Sequence, residues 1–364
     1  MKNYCFLLII NVLMFASCEN EDVQPLPSNE ADIIEYSVLN YFTDVEINEE
    51  TGLVMLKFPL EVTSVEGAIA EFILSEGAQA TVDGILQVSG QSQIDLKGTL
   101  NYVVTAEDQI TEKKWQIKGT NNTYSIDWGL GYFEKNRWSL NRSYNWYIDQ
   151  WNTGEHYYEN CGPASTTMAA KWSDESFTET TQDARDTFHP DGGWWNTTDI
   201  SNYLSSFNIP HEFLALFSDS EYSGKILKDE LDAGNILILC TDMYYIRPSL
   251  SDFYRVDKFY RTASDGWGHF FIVKGYKQVD DYLFFETYDP YNSEKAYADG
   301  TPKGKDRYYR VEDVYLATSN WWNYAISVSE KGTENKSRNK IIKDISKVPV
   351  KWGGRKGIDK NGIE

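Results

Sequence analysis

Asn160-Cys161-Gly162-Pro163-Ala164-Ser165-Thr166-Thr167-Met168-Ala169-Ala170 sets a thiol at the start of a helix. Pro163 suits the first helical position, where its missing N–H costs nothing and its fixed φ fits. Gly162 permits a tight turn and leaves room for a substrate beside the sulfur. The residues that follow, up to Lys171 and Trp172, are small or good helix formers. A cysteine so placed lies near the positive end of the helix dipole and near N–H groups without helical partners. Both favour the thiolate, which is the nucleophilic form. The competing reading is a small buried core cysteine, the commonest fate of a free thiol.

Two further stretches weigh on that choice. Gly268-His269-Phe270-Phe271-Ile272-Val273-Lys274-Gly275-Tyr276 reads as a strand that begins at a histidine. Tyr282 to Tyr288 reads as its hairpin partner, closed by Asp289-Pro290. Pairing Tyr276 with Tyr282 across the loop Lys277 to Asp281 sets His269 opposite Asp289. A carboxylate there holds the imidazole's tautomer and orientation, the third part of a nucleophile–base–orienter set. Upstream of the cysteine, Gln150 offers a side-chain amide that can donate to a developing oxyanion.

In the order Gln150, Cys161, His269, Asp289, these residues resemble the papain-like cysteine peptidases of the C39-like group. That group carries a Gln, a Cys-Gly-Pro-Ala opening a helix, a Gly-His starting a strand and an Asp-Pro closing the next. The resemblance spans about residues 145–330. It implies Cys161 as nucleophile, His269 as general base and then acid, Asp289 as its orienter and Gln150 in the oxyanion hole. It implies peptide or protein substrates, a C-terminal α+β papain-like fold with the reactive pair at a seam between two lobes, and no cofactor. Hydrolysis and acyl transfer to an amine use the same parts.

The rest of the chain gives the setting. The net charge of −21 argues against a nucleic-acid partner, since a phosphate backbone wants a basic footprint. Residues 1–17 read as a secretion signal: Lys2, an apolar run from Cys5 to Met14, then Phe15-Ala16-Ser17. Phe15-Ala16-Ser17-Cys18 resembles the lipobox of bacterial lipoproteins, which implies cleavage before Cys18, its lipidation, and a membrane anchor. Glu19-Asn20-Glu21-Asp22 resembles the acidic tag of surface-exported lipoproteins, implying an outer-membrane, surface-exposed protein of the bacterial envelope. Residues 18–30, with Pro25 and Pro27, read as an extended tether. Residues 31–120 show short β-like runs separated by turn signals, the spacing of a β-sandwich. Asn101 to Gln109 followed by Trp115-Gln116-Ile117 resembles the closing hairpin of small immunoglobulin-like domains. Residues 121–330 form the expected peptidase domain, with an aromatic lead-in over 121–149, and residues 331–364 read as a basic flexible tail.

Within 121–330, helices are expected over Thr178–Phe188, Thr198–Phe207, Ser223–Ala233 and Val311–Ala317, with a last strand over Trp322–Val328. Asn235 to Thr241 reads as a buried strand that makes Cys240 a core residue. The long aromatic insertion from Met243 to Trp267 is of the length usual for lids, and Trp267 is placed to shield the Cys–His pair. The four histidines show no metal-ligand spacing among themselves or with Cys161, and no metal site is expected. A second reading is a non-catalytic peptide- or glycan-binding lipoprotein on a degenerate peptidase fold, with Trp194, Trp195 and Trp267 as stacking surfaces. The fold class expected is therefore multidomain: an N-terminal all-β immunoglobulin-like sandwich followed by the α+β papain-like fold.

Overall fold

The computed structural model describes residues 26–216, 220–260, 263–333 and 341–342, and the side chains of 220–223 are not among them. The expected signal segment 1–17, the lipidation site Cys18, the first part of the tether and nearly all of the basic tail lie outside the described residues.

The N-terminal region is built from nine strands: β1 (Ile33–Val38), β2 (Asp44–Asn48), β3 (Leu53–Lys57), β4 (Ala68–Leu74), β5 (Gln79–Val82), β6 (Ile85–Gln87), β7 (Gln93–Ile94), β8 (Leu100–Thr105) and β9 (Glu112–Thr120). They form a three-stranded sheet, β1-β4-β7, and a six-stranded sheet, β2-β3-β9-β8-β5-β6. Alternation sends one side of each strand inward. Tyr36 and Val38 of β1 and Ala70 of β4 meet Val54, Leu56, Tyr102, Val104, Trp115 and Ile117 of the larger sheet in one buried core. Each large apolar side chain taken from water there contributes about 1.5–3 kcal/mol. The buried Tyr36 and Tyr102 hydroxyls bond each other at 3.1 Å, so neither is left unsatisfied. Strands β2, β6 and β7 are absent from the sequence reading. They are two to five residues long and mostly exposed, so no apolar run marks them.

The C-terminal region has one seven-stranded sheet with helices on both faces. In chain order it contains α1 (Thr123–Asp127), β10 (Glu134–Ser139), α2 (Cys161–Ser173), α3 (Thr181–Thr187), α4 (Thr197–Ser206), β11 (His211–Ala215), α5 (Ser220–Asp232), β12 (Ile236–Asp242), β13 (Gly268–Val279), β14 (Tyr282–Tyr288), β15 (Arg307–Arg310), α6 (Val311–Ser319) and β16 (Tyr324–Val328). The strand order is β11-β16-β12-β13-β14-β15, and β10 pairs with the far half of β13. A central strand covered on both faces reads as an unbroken apolar run, and every residue of β12 is buried. Its alternate residues divide between two cores. Ile236, Ile238 and Cys240 pack with α2 and α4, whereas Leu237 and Leu239 pack with α5 and α6.

Every residue of α2 except Lys171 is buried, so it is the central helix of its layer. The four expected helices are present with ends shifted by up to three residues. The aromatic lead-in is in part a strand, β10, which extends the main sheet. The hairpin tip of β13–β14 binds the two regions together. Asp280 accepts the N–H groups of Tyr132 and Phe133, both at 2.9 Å, and Phe133 sits in the N-terminal core. Gly131 is required there: a Cβ would stand 2.3 Å from the Asp280 carboxylate at a φ of 142°.

Candidate active site

The nucleophile candidate is the first residue of α2. Asn160 precedes it as the cap, and Pro163 is the third helical residue rather than the first. Its lost N–H still falls within the first turn, where no intrahelical acceptor exists. Gly162 does not open a space for substrate as expected. A Cβ there would meet the Trp195 Cβ at 2.8 Å and the Phe270 ring at 3.5 Å, so the glycine lets the helix start press against the core. Cys161 itself is 4 % exposed.

Strand β13 opens at Gly268 and delivers His269 to the same place. The hairpin turn is tighter than the sequence suggested: Val279 pairs with Tyr282 and Tyr276 with Phe285, so only Asp280 and Asp281 turn the chain. Lys274 is then an extra residue between the Val273–Thr287 and Gly275–Glu286 pairs. The last pair is Ile272–Tyr288, which sets Asp289 level with Phe271 instead of His269. The expected register is therefore corrected by two residues. The carboxylate still reaches the imidazole as a diagonal neighbour on the same face, with His269 Nε2 and Asp289 Oδ1 2.7 Å apart. Cys161 lies close enough to the ring to favour its charged form, after Asp289 in effect.

The carboxylate is held from four directions. Oδ1 also accepts the Tyr291 N–H at 2.9 Å, and Oδ2 accepts the hydroxyls of Tyr260 (3.1 Å) and Tyr309. Its backbone is fixed as well: the Asp289 N–H donates to Gly304 O at 2.8 Å, and Tyr147 OH donates to Asp289 O at 2.9 Å. Gly304 must lack a side chain, since a Cβ would lie 2.1 Å from Asp289 O. Burial works against charge on His269, but Asp289 and then Cys161 outweigh it, pushing the imidazole up to about 10. Burial likewise favours the neutral Asp289 acid. The His269 cation, the Tyr309 hydroxyl and the Tyr291 N–H overcome it and hold the carboxyl below its usual range. The pair is thus a buried imidazolium–carboxylate beside Cys161.

Gln150 lies in a 3₁₀ turn, Gln150–Asn152, capped by Asp149. Its N–H donates to Pro290 O at 2.9 Å, tying this turn to the exit of β14. Its side-chain amide donates to Tyr157 O at 3.0 Å, in the turn that leads into Cys161. The amide is therefore bonded to the backbone of the nucleophile's own lead-in. Asp149 Oδ2 extends the clamp by accepting from Asn292 Nδ2 and Glu294 N at 2.9 and 3.0 Å.

The three tryptophans differ. Trp267 is half-buried and makes ring contacts with Tyr260 and Tyr291 at 5.4 and 5.3 Å, while Tyr291 meets the His269 ring at 6.1 Å. The Gly266 and Trp267 N–H groups are fixed to the buried Asp242, at 3.0 and 3.2 Å. Trp194 is half-buried at the edge of the α2 core. Trp195, expected as a stacking surface, is instead 2 % exposed, packs against Phe188 and Tyr203, and donates to Phe188 O. Cys240 is buried and free like Cys161, and burial raises its thiol far above the usual range, with Cys161 next in effect.

Several supporting residues escaped the sequence reading. Tyr260 and Tyr309 carry no local pattern, and their hydroxyls reach Asp289 only once the sheet and the insertion close on each other. Gly304 lies in Lys303-Gly304-Lys305, an ordinary turn by composition. Arg185, fully buried on α3, donates to the Asn160 side chain.

Residues 145–321 match the model of the family described as Peptidase_C39 like family, a span that contains Gln150, Cys161, His269 and Asp289. The match supports a C39-like peptidase domain in this part of the chain. No curated protein matches the chain. Among solved structures, one from Bacteroides thetaiotaomicron VPI-5482, described provisionally as a glycoside hydrolase, aligns at 14% identity over 86% of this chain and 99% of its own, with a TM-score of 0.22.

Proposed function

We propose that the chain is an envelope-anchored cysteine peptidase that cleaves peptide bonds through an acyl-enzyme on Cys161. The observation that carries this reading is the buried His269, bonded to Asp289 with Nε2 and Oδ1 2.7 Å apart and near enough to Cys161 to feel its charge. A thiol and an imidazole so disposed exchange a proton to give a thiolate–imidazolium pair, and the carboxylate stabilises the cation. The thiolate attacks the carbonyl carbon and the carbonyl oxygen takes the negative charge. The N–H groups at the start of α2 face that charge, assisted by the Gln150 amide when it turns from Tyr157 O. His269 then gives its proton to the leaving amine as the carbon–nitrogen bond breaks. It next accepts a proton from water, which attacks the thioester and restores the thiol. An amine in place of water gives transpeptidation with the same proton path.

In this reading the four residues stand in a papain-like arrangement, and the N-terminal sheets form an immunoglobulin-like spacer or binding module. Cys18 bears the lipid that holds the protein in the outer membrane, exposed at the surface. The test is hydrolysis of a mixed peptide library by the wild type, Cys161→Ala and His269→Ala, with circular dichroism as a folding control. Cleavage lost in both folded variants is the expected result; cleavage that persists in Cys161→Ala rejects the mechanism.

A further inference from the structure

Arg185 is fully buried on α3, and its side chain is spent on the residues just before the nucleophile. Nε and Nη2 both donate to Asn160 Oδ1, at 2.8 and 2.6 Å, and Nη2 is 3.3 Å from Glu159 O. Nη1 donates to Gly193 O at 2.7 Å and lies 3.4 Å from His189 O. All five acceptor contacts are to neutral oxygens, and Arg185 forms no ion pair among the described residues. An interior cation without a counter-charge is costly, and such groups normally find an anion. The carboxylates nearby have other partners. Glu159 Oε2 accepts the Gly193 N–H at 2.6 Å, and Asp199 Oδ2 accepts from Asn196 N at 2.8 Å and faces His189 at 3.2 Å. Cys161 is the residue next to its Asn160 partner, and after Glu159 it is the group whose negative charge acts most on Arg185.

Building on the peptidase reading, we propose that Arg185 is a positioning residue for the reaction: its fork fixes the Asn160 amide and the turn that aims the Cys161 N–H, and its charge stabilises the Cys161 thiolate. Arg suits the first role because the planar guanidinium spreads five donors in a fixed geometry, which a lysine ammonium lacks, whereas the charge role needs only a cation. Asn160 completes the support, donating from Nδ2 to Thr153 Oγ1 at 2.9 Å. Burial lowers the guanidinium's hold on its proton. Glu159, Cys161, Asp199 and Tyr158, in that order, are the groups whose negative charge opposes this. His269 and Cys240 are the other titratable groups on which Cys161 acts.

The test is iodoacetamide labelling of Cys161 in the full chain at pH 6 and pH 9, read by peptide mass spectrometry, with Cys240 as internal reference. Arg185→Met is expected to slow labelling about tenfold at pH 6, the equivalent of one pKa unit, and to leave pH 9 unchanged. Arg185→Lys is expected to recover most of that loss. If Arg185→Met does not fold, Asn160→Asp serves: it sets a carboxylate against the guanidinium and is expected to remove the pH 6 advantage likewise. Unchanged labelling at pH 6 in the folded variant overturns the proposal. So does an equal loss at both pH values in the Met and Lys variants, which marks a structural role only. Wild-type labelling reports separately on the peptidase reading. A wild-type Cys161 no faster than Cys240 at pH 6 rejects that reading, and the role of Arg185 falls with it.

Discussion

Replacing Asp289 by asparagine separates charge from shape at this site. The carboxylate accepts four hydrogen bonds, from His269, Tyr291 N, Tyr260 and Tyr309. An amide can keep all four contacts: its oxygen accepts from His269 and Tyr291 N, and its NH₂ donates to the two phenol oxygens, whose hydroxyls rotate. What it removes is the negative charge, the largest influence holding the His269 proton against burial. With burial then opposed by Cys161 alone, the imidazole is expected to fall from about 10 to below its ordinary ~6.5 and to be neutral at pH 7. The thiolate fraction at pH 7 falls with it, so alkylation of Cys161 should slow by at least about tenfold. Stability should change little. Asp289→Ala, in contrast, strands the ring N–H, two phenols and a backbone N–H, and is expected to cost about 3–5 kcal/mol. Nitrogen-15 NMR of labelled histidine reads the first effect, and denaturant unfolding the second. A His269 that stays protonated at pH 8 in Asp289→Asn refutes the assignment of Asp289 as the source of the shift.

Two further outcomes follow from the same geometry. Gly304→Ala drives a Cβ into Asp289 O and Tyr147 OH, at 2.1 and 2.5 Å, so the turn must move. Peptide turnover should fall at least about tenfold through the displaced carboxylate, and wild-type turnover from a folded Gly304→Ala protein contradicts the role given to this turn. With pH, the contribution of the raised His269 to stability is present in full below the ordinary ~6.5 and is lost as pH climbs through about 10. The contribution of Asp289, whose carboxyl is depressed, is present above about 3.9 and is lost as pH falls through its lower folded value. Unfolding measured from pH 3 to pH 11 should therefore show His269→Ala converging on the wild type at the alkaline end. A gap that does not narrow there contradicts the shift.

The sequence discloses the parts of this site that chain-local chemistry marks. The Cys-Gly-Pro-Ala helix start, the Gly-His strand start and the Asp-Pro strand end each combine a reactive side chain with a structural signal. The double coverage of β12 was likewise visible in its unbroken apolar run. The parts that stayed hidden depend on distant contacts. The bulge at Lys274 shifts the hairpin register, and nothing local distinguishes it from a longer loop, because Lys277 and Asp281 are polar whether paired or not. Nothing local marks Tyr260 and Tyr309, whose hydroxyls meet one carboxylate oxygen only in the folded chain. Trp195 is expected as a stacking surface, yet it packs into the core where Gly162 leaves room for it. Strand β15 contains two arginines, yet Arg307 is buried by bonds to Asp257 O and the Tyr297 hydroxyl.

The central claim is that Cys161 and His269 form a reactive ion pair. Iodoacetamide labelling of the folded wild type across pH, with Cys240 as the buried reference thiol, tests it most directly. Cys161 should label fast below pH 7, far ahead of Cys240, and should lose that lead in His269→Ala. Slow labelling of both cysteines, or a fast Cys161 indifferent to His269, would contradict the account.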